Sequence, residues 1–286
     1  MSQAVLQSAQ FYPPLEHPNP HGLYAATNWG VPLSRDPAEP AGDDAIPRWL
    51  DAGVLFRRIN YQGEWASGVW GAPWCRDPEQ TSGDEESKYG IRPQFPGPFE
   101  AVTVWAYDEC DPTLFSQAEI LERVQQTLRL QEQVNVETML AARMVADLEA
   151  IPGQVVHRPT VHQAVGYLEG LLAKTNTTGL IHASPEAAAV EYGIVLPVRS
   201  GVLQTPLGHQ WVFGGGYVDG LQDLLVATSR VYGWRNAVQV RPVYDQYTYT
   251  IAAIAERSVV IGYEQIMGAV YTESVETSGV IPGGEL

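Results

Sequence analysis

Lysine is nearly missing from this sequence: of 17 basic residues only Lys88 and Lys174 are lysines. Against them stand 33 acidic residues, a formal net charge of −16 over 286 residues. Binding through neutralised phosphates needs clustered Lys and Arg, so adhesion to nucleic acid is excluded and any association with DNA is containment. Cysteine is scarce too. Cys75 and Cys110 are too few for a disulfide framework or a four-ligand zinc site, and they read as idle thiols in a reducing compartment. No window approaches the ~20 apolar residues of a spanning helix. The start, Met-Ser-Gln-Ala-Val-Leu-Gln, lacks the basic and apolar regions of a signal peptide. Charged residues make up 17% and hydrophobic residues 45%. That balance affords a sizeable core and fits neither wholesale disorder nor a solvated coiled coil.

Catalytic signatures are also missing. There is no phosphate-cradling G-x-x-x-x-G-K-[ST] and no G-x-S-x-G nucleophile elbow. The run Gly214-Gly215-Gly216-Tyr217-Val218-Asp219-Gly220 lacks dinucleotide-binding spacing and reads as a flexible loop. His157 and His162 are five apart, roughly 140° around a helix, so they share no face for a metal. Prolines between His17 and His21 forbid the helix that would align them. His182 and His209 read as packed histidines. Asp219 and Asp223 lie near the glycines, but nothing supplies the ~6–8 oxygens calcium takes. Asn176-Thr177-Thr178 reads as a turn rather than a glycan acceptor. No residue is therefore assigned a catalytic, cofactor-binding or metal-ligating role.

What is present is sharply zoned. Of 21 prolines, 13 lie in residues 1–100, and six of eight tryptophans precede residue 110. Phe11-Tyr12-Pro13-Pro14 and His17-Pro18-Asn19-Pro20 cannot be helix or central strand. Residues 1–48 read as an extended arm whose Phe11, Tyr12, Tyr24 and Trp29 bury on something else. Residues 50–105 read as a long hairpin: Val54–Ile59 leads out, Phe99–Trp105 returns, and Asp84-Glu85-Glu86 is an acidic tip. Residues 113–151 contain neither Gly nor Pro and lie between Pro112 and Pro152. Ser116 and Glu119 form a capping box, Phe115 can staple to Ile120, and Asp108, Glu109 and Asp111 sit where the dipole favours negative charge. A helix over 116–148 would run about 50 Å. Its polar middle, Gln131 to Asn135, leaves open one helix or a pair.

Residues 157–240 read as mixed α/β. Thr160 caps a helix that stops at Thr175–Gly179, Leu180–Ala183 is a strand, and Ser184-Pro185 opens a second helix with Gly193 as its left-handed stop. The end returns to strands over Val238–Val243, Tyr247–Glu256 and Ser258–Tyr263. The tail after Tyr271 is expected to fray.

The order arm, long hairpin, long helix, α/β unit and returning strands resembles the α+β Hong Kong 97-type fold of tailed-phage major capsid proteins. Four stretches carry the likeness. They are Arg57-Arg58-Ile59, Gly179-Leu180-Ile181-His182-Ala183-Ser184-Pro185, Gly215–Gly220, and Val243-Tyr244-Asp245-Gln246 through Ala255–Tyr263. The last is similar to the closing strands of capsid proteins from phages of actinobacteria, and the arginine bias fits a GC-rich genome. The resemblance implies an N-arm (1–49), an E-loop (50–105), a P-domain with a spine helix (106–155), an A-domain (156–240), and returning strands with a tail (241–286). It implies a non-enzymatic homo-oligomer, without cofactor, of hexamers and pentamers in an icosahedral virion shell around double-stranded DNA, assembled in the host cytoplasm. Scaffolding, portal and decoration proteins are the implied partners. Some families with this fold crosslink a loop lysine to a neighbour's asparagine. Lys88 and Asn236 are the available pair, though a lone loop lysine is normally just solvated. An encapsulin-type compartment shell shares the fold. A soluble α+β enzyme acting on sugars through its tryptophans is the reading from another class.

Overall fold

The computed structural model describes residues 11–30, 47–63, 65–69, 90–93, 96–113, 116–151, 153–190, 192–198 and 201–272. Lys88, Cys75, the 84–86 tip, Phe115, Pro152 and the last fourteen residues lie outside them. No helix among the described residues is long and apolar enough to cross a membrane.

The chain opens with a one-turn helix α1 (Leu23–Ala26) and a short strand β1 (Asn28–Trp29), then helix α2 (Arg48–Asp51) and strand β2 (Val102–Cys110). Next comes α3 (Gln117–Glu149), one unbroken helix of 33 residues, about 50 Å long. Its start is the one the capping box predicts: the Glu119 amide donates to Ser116 Oγ at 3.3 Å. Ile120, Val124, Leu128, Val136, Leu140, Met144 and Leu148 bury one stripe along it. The polar middle does not break the helix, because Glu132, Gln133 and Glu137 are themselves buried and have partners. Asp108 and Glu109 prove to be strand residues of β2 rather than residues ahead of the helix, and Asp108 reaches Arg123 at 3.1 Å.

After α3 follow β3 (Val155–Arg158), α4 (Val161–Thr175), β4 (Leu180–Ala183) and α5 (Pro185–Val190). Asn176 ends α4 in the left-handed conformation at φ 52°. Gly193 is not a left-handed stop; it sits inside a 3₁₀ turn, Tyr192–Ile194. Then come β5 (Leu196–Pro197), β6 (Leu203–Gln204), β7 (Gln210–Phe213), a short helix α6 (Tyr217–Gly220), β8 (Leu224–Thr228), β9 (Val231–Arg235), β10 (Gln239–Asp245), β11 (Thr250–Tyr263) and β12 (Ile266–Thr272). The two strands expected on either side of Arg257 are one strand of 14 residues. Arg257 stays in register because its guanidinium meets the buried Glu132 carboxylate at 3.3 Å. Tyr247–Tyr249 form the turn before that strand, with Tyr249 at φ 54°.

Among the described residues the strands make two sheets. The first runs β1-β9-β11-β10, with β2 also on β11. Residues 251–256 of β11 lie between β2 and β10, and residues 259–263 pair with β9. Pro242 is tolerated in β10 because that strand is an edge. The second sheet runs β3-β12-β8-β4-β7-β6-β5. Its central strands are apolar at almost every position because both faces are covered. Leu180, Val212, Leu224, Val226 and Ala269 face the core around α3, while Ile181, Phe213, Leu225, Ala227 and Val270 face the core under α4.

Two expectations need correction, one in the arm and one at the glycine run. Tyr24 and Trp29 pack on their own chain: their rings meet edge to face at 4.9 Å, and Arg235 lies 4.3 Å from the Trp29 ring. Leu23 is wholly buried. The glycine run is also no flexible loop. It is a tight turn into α6, pressed on α3 so closely that a side chain on Gly216 would strike the Val134 carbonyl and the Thr138 amide.

Leu128 sits in the α3 stripe at 1% exposure. Leu128→Ala is expected to cost about 2–5 kcal/mol, as for other large-to-small core changes, read from urea unfolding of the protein.

Candidate functional site

The histidines do not gather. His17 Nδ1 lies 2.5 Å from Arg129, the His21 carbonyl accepts from the Phe213 amide, and His157 and His162 sit on β3 and α4. His209 Nδ1 accepts from the Gly179 amide at 3.3 Å. Asp219 lies in α6, and the Asp223 carbonyl accepts from Thr272. Asn236 Oδ1 accepts from the Ser258 amide at 2.9 Å. Cys110 is a free thiol on β2. Among the described residues no group of three or more His, Cys, Asp or Glu could hold a metal ion. A groove of 290 Å³ opens between Phe99, Val102, Met139, Leu140, Arg143 and Ile261. Its charged members are Glu100 and Arg143. Arg143 is spent on Asp147 and on the carbonyls of Gly97 and Pro98, each at 2.8 Å, so the groove offers no nucleophile beside a base. The tryptophans form no single platform either: Trp49 and Trp211 are buried in different cores, while Trp105 is exposed on a sheet face.

Among the described residues exposed apolar surface is the other prominent feature. The apolar exposure is large and localised. In the arm, Phe11 is 83% exposed and Tyr12 69%. Around the long insertion, Ile59, Trp65, Val69 and Ile91 are exposed. Directly paired residues share a face of a sheet, so Tyr107 and Ile254 stand side by side, with Trp105 next along β2 and Val243 on β10. All four are exposed. At the β10–β11 turn Tyr247 and Tyr249 project.

Behind these surfaces lie polar ties that carry no local signal in the sequence. Glu137, fully buried at the middle of α3, accepts from the Leu23 amide at 2.9 Å and the Gly216 amide at 3.0 Å. Burial pushes its carboxyl above the usual range, against the amide N–H groups that pull it down. One turn earlier, Glu132 accepts from the Tyr24 hydroxyl at 2.7 Å. Burial first, and that carboxylate second, push the Tyr24 hydroxyl well above the usual phenol range. Glu169 on α4 accepts from Thr205 Oγ1 and the Leu207 amide, holding the turn between β6 and β7. Glu264, between β11 and β12, accepts from residues 59 and 60. His182 is fully buried between the Tyr217 hydroxyl at 2.9 Å and the Thr228 hydroxyl at 2.8 Å. Burial holds it neutral and lowers its pKa to about 3.

No family model matches the chain, and no curated protein matches it. The mature capsid of bacteriophage PhiM1 and the capsid of an empty GTA particle are among the solved structures it resembles. The mature capsid of bacteriophage PhiM1 aligns at 9% identity over 96% of this chain and 93% of that one, with a TM-score of 0.48. Microbacterium phage Oxtober96 aligns at 9% identity over 95% of each chain, with a TM-score of 0.46. The holo-SrpI encapsulin complex of Synechococcus elongatus aligns at 14% identity over 61% of this chain and 74% of that one, with a TM-score of 0.41.

The buried histidine gives a signed pH dependence. Its folded pKa lies below the unfolded ~6.5, so its stability contribution is present above that value and lost as pH falls toward about 3. Glu137 runs the other way, its raised carboxyl giving stability at low pH that is lost as pH rises. Below pH ~6.5 the wild type should lose about 1.4 kcal/mol per pH unit more than His182→Gln, measured as urea midpoints of the protein against pH.

Proposed function

We propose that this chain is a structural major capsid protein with a Hong Kong 97-type fold. It assembles with its own copies into hexamers and pentamers of an icosahedral phage head. The observation that carries this reading is the division between rooted and unburied surface. Arm, insertion and closing sheet are each fixed to the body by buried polar contacts. Beyond those roots they expose Phe11, Tyr12, Ile59, Trp105, Tyr107 and Val243. Apolar patches of this kind mark interaction surfaces. A chain that orders limbs it does not itself cover is built to be covered by neighbours, through many contacts that are modest singly and strong together.

In this reading residues 1–49 are the N-arm, 50–105 the E-loop, 106–155 the P-domain, 156–240 the A-domain, and 241–286 the returning strands and tail. The strong acidity supports a wall that encloses DNA without holding it, because a polyanion is repelled rather than adsorbed. The virion is then its location, and scaffolding, portal and decoration proteins are its further partners. Its role is structural, not catalytic.

Expressed protein is expected to form closed shells in negative-stain micrographs and to sediment as a large particle; a compact monomer on size exclusion overturns the proposal. A Phe11→Ser/Tyr12→Ser double variant should lower shell yield several-fold while shifting subunit stability by no more than about 0.5 kcal/mol, as for other exposed positions.

A further inference from the structure

We propose that Glu264 is the positioning residue that fixes where the long insertion leaves the body and so how it meets a neighbouring copy. The inference rests on the capsid reading above and adds the residue on which the insertion's placement depends.

Glu264 and Gln265 are the two-residue link between β11 and β12, and therefore between the two sheets. The other link at this seam is Ser229-Arg230, between β8 and β9. The two links are tied together. Ser229 Oγ accepts from the Glu264 amide at 3.0 Å and the Gln265 amide at 3.2 Å, and the Ser229 amide donates to the Gln265 carbonyl at 2.8 Å. The main chain of Glu264 is thus held without its side chain.

The side chain, 8% exposed as part of the residue, is given wholly to the insertion. Oε1 accepts from the Ile59 amide, and from the Asn60 amide at 2.7 Å. Oε2 accepts from Asn60 Nδ2 at 2.7 Å. The Glu264 carbonyl accepts from Arg58 Nε at 3.3 Å. Two consecutive amides closing on one carboxylate fix the backbone direction of residues 59–60, because both N–H vectors must converge there.

Those residues cross the seam. Before them, Phe56 packs edge to face on Phe99 at 5.4 Å, in the core around α3. After them, Tyr61 is buried in the core under α4. Among the described residues the sole strand-like contact near this root is the bridge between Val54 and Phe99, and none of residues 55–60 lies in a strand. Beyond Tyr61 the outgoing limb meets the return limb closely, so that a side chain on Gly63 would strike the Ile91 carbonyl and one on Gly90 the Ala66 backbone. Direction set at residues 59–60 is therefore passed to both limbs. Ile59, Trp65 and Ile91, all exposed, move with it.

The test compares wild type with Glu264→Ala, Glu264→Gln and Asn60→Ala, using hydrogen exchange of the unassembled full chain and shell yield by sedimentation and negative stain. In Glu264→Ala the Ile59 and Asn60 amides should exchange about tenfold faster, with β11 and β12 unchanged, and shell yield should fall about tenfold. Glu264→Gln keeps an acceptor at Oε1 and should recover most of the yield. Asn60→Ala loses only the Oε2 contact from an exposed residue, so it folds whatever the core variant does, and should lose about threefold. Glu264→Ala shells at wild-type yield, or unchanged exchange at residues 59–60, overturn the inference. A wild type that forms no shells overturns the capsid reading and this inference with it. That result is distinct from a variant assembling as well as a wild type that assembles.

Discussion

Four glutamates are buried among the described residues, Glu132, Glu137, Glu169 and Glu264, and each receives donors from a segment that has no strand ladder of its own. A buried carboxylate without donors costs several kcal/mol, so it demands them. Here the demand is met by the amides of Leu23, Gly216, Leu207, Ile59 and Asn60 and by the Tyr24 hydroxyl. The relation works in both directions. Irregular backbone has orphan amides that need acceptors, and the sheets and α3 supply them as side-chain oxygens. The turn into α6, the β6–β7 turn and the insertion root are thereby fixed without a strand ladder, and the arm is tied at Leu23 and Tyr24 in addition to its short pairing with β9. The rest of the molecule, with its order of limbs around two cores, follows from these ties.

The parts legible in the sequence were those with local causes. Ser116 and Thr160 announce the starts of α3 and α4 through their own hydroxyls, and both hydroxyls accept as expected. Leu180–Ala183 and the cap at Ser184 have the same local character. What was not legible depends on partners far along the chain. Nothing near Glu137 indicates that residues 23 and 216 will reach it, and a glutamate at that helical position looks solvated. The same holds for Arg257, which reads as a break between strands until Glu132, 125 positions away, is found to hold it. The glycines at 214–216 read as slack for a related reason. Their smallness serves close approach to α3, which no local pattern records. Tyr24 and Trp29 follow suit, since their burial comes from Arg235 and Glu132.

The two cores differ in what they must tolerate. The core under α4 is closed by Leu168, Leu172, Ile181 and Phe213, with Glu169 and His209 satisfied at its margin. The core around α3 carries the polar middle of the spine and His182 in addition. Polar networks in a low dielectric hold one geometry when fully satisfied and are costly when partly satisfied. The middle of α3, where arm, α6 turn and Arg257 converge, is therefore the place where the mutual position of arm and sheets is most strictly set.

Rigid roots and uncovered ends answer a single physical problem. A flexible limb loses conformational entropy when it docks, and that loss is subtracted from every contact it makes. In the proposed assembly, ties at residues 23, 59–60 and 257 remove part of the loss while the chain folds, before a neighbour arrives. Contacts to Phe11, Trp105 or Ile59 can then stay individually weak, and weak contacts allow a misplaced subunit to leave and rebind. Acidity works in the same sense: a charge of −16 on each copy opposes indiscriminate association. Only surfaces presented in the right relative direction gather enough apolar contact to overcome it. Directional presentation by buried carboxylates and suppression of random contact by surface charge thus act together, the first selecting how copies meet and the second penalising every other way.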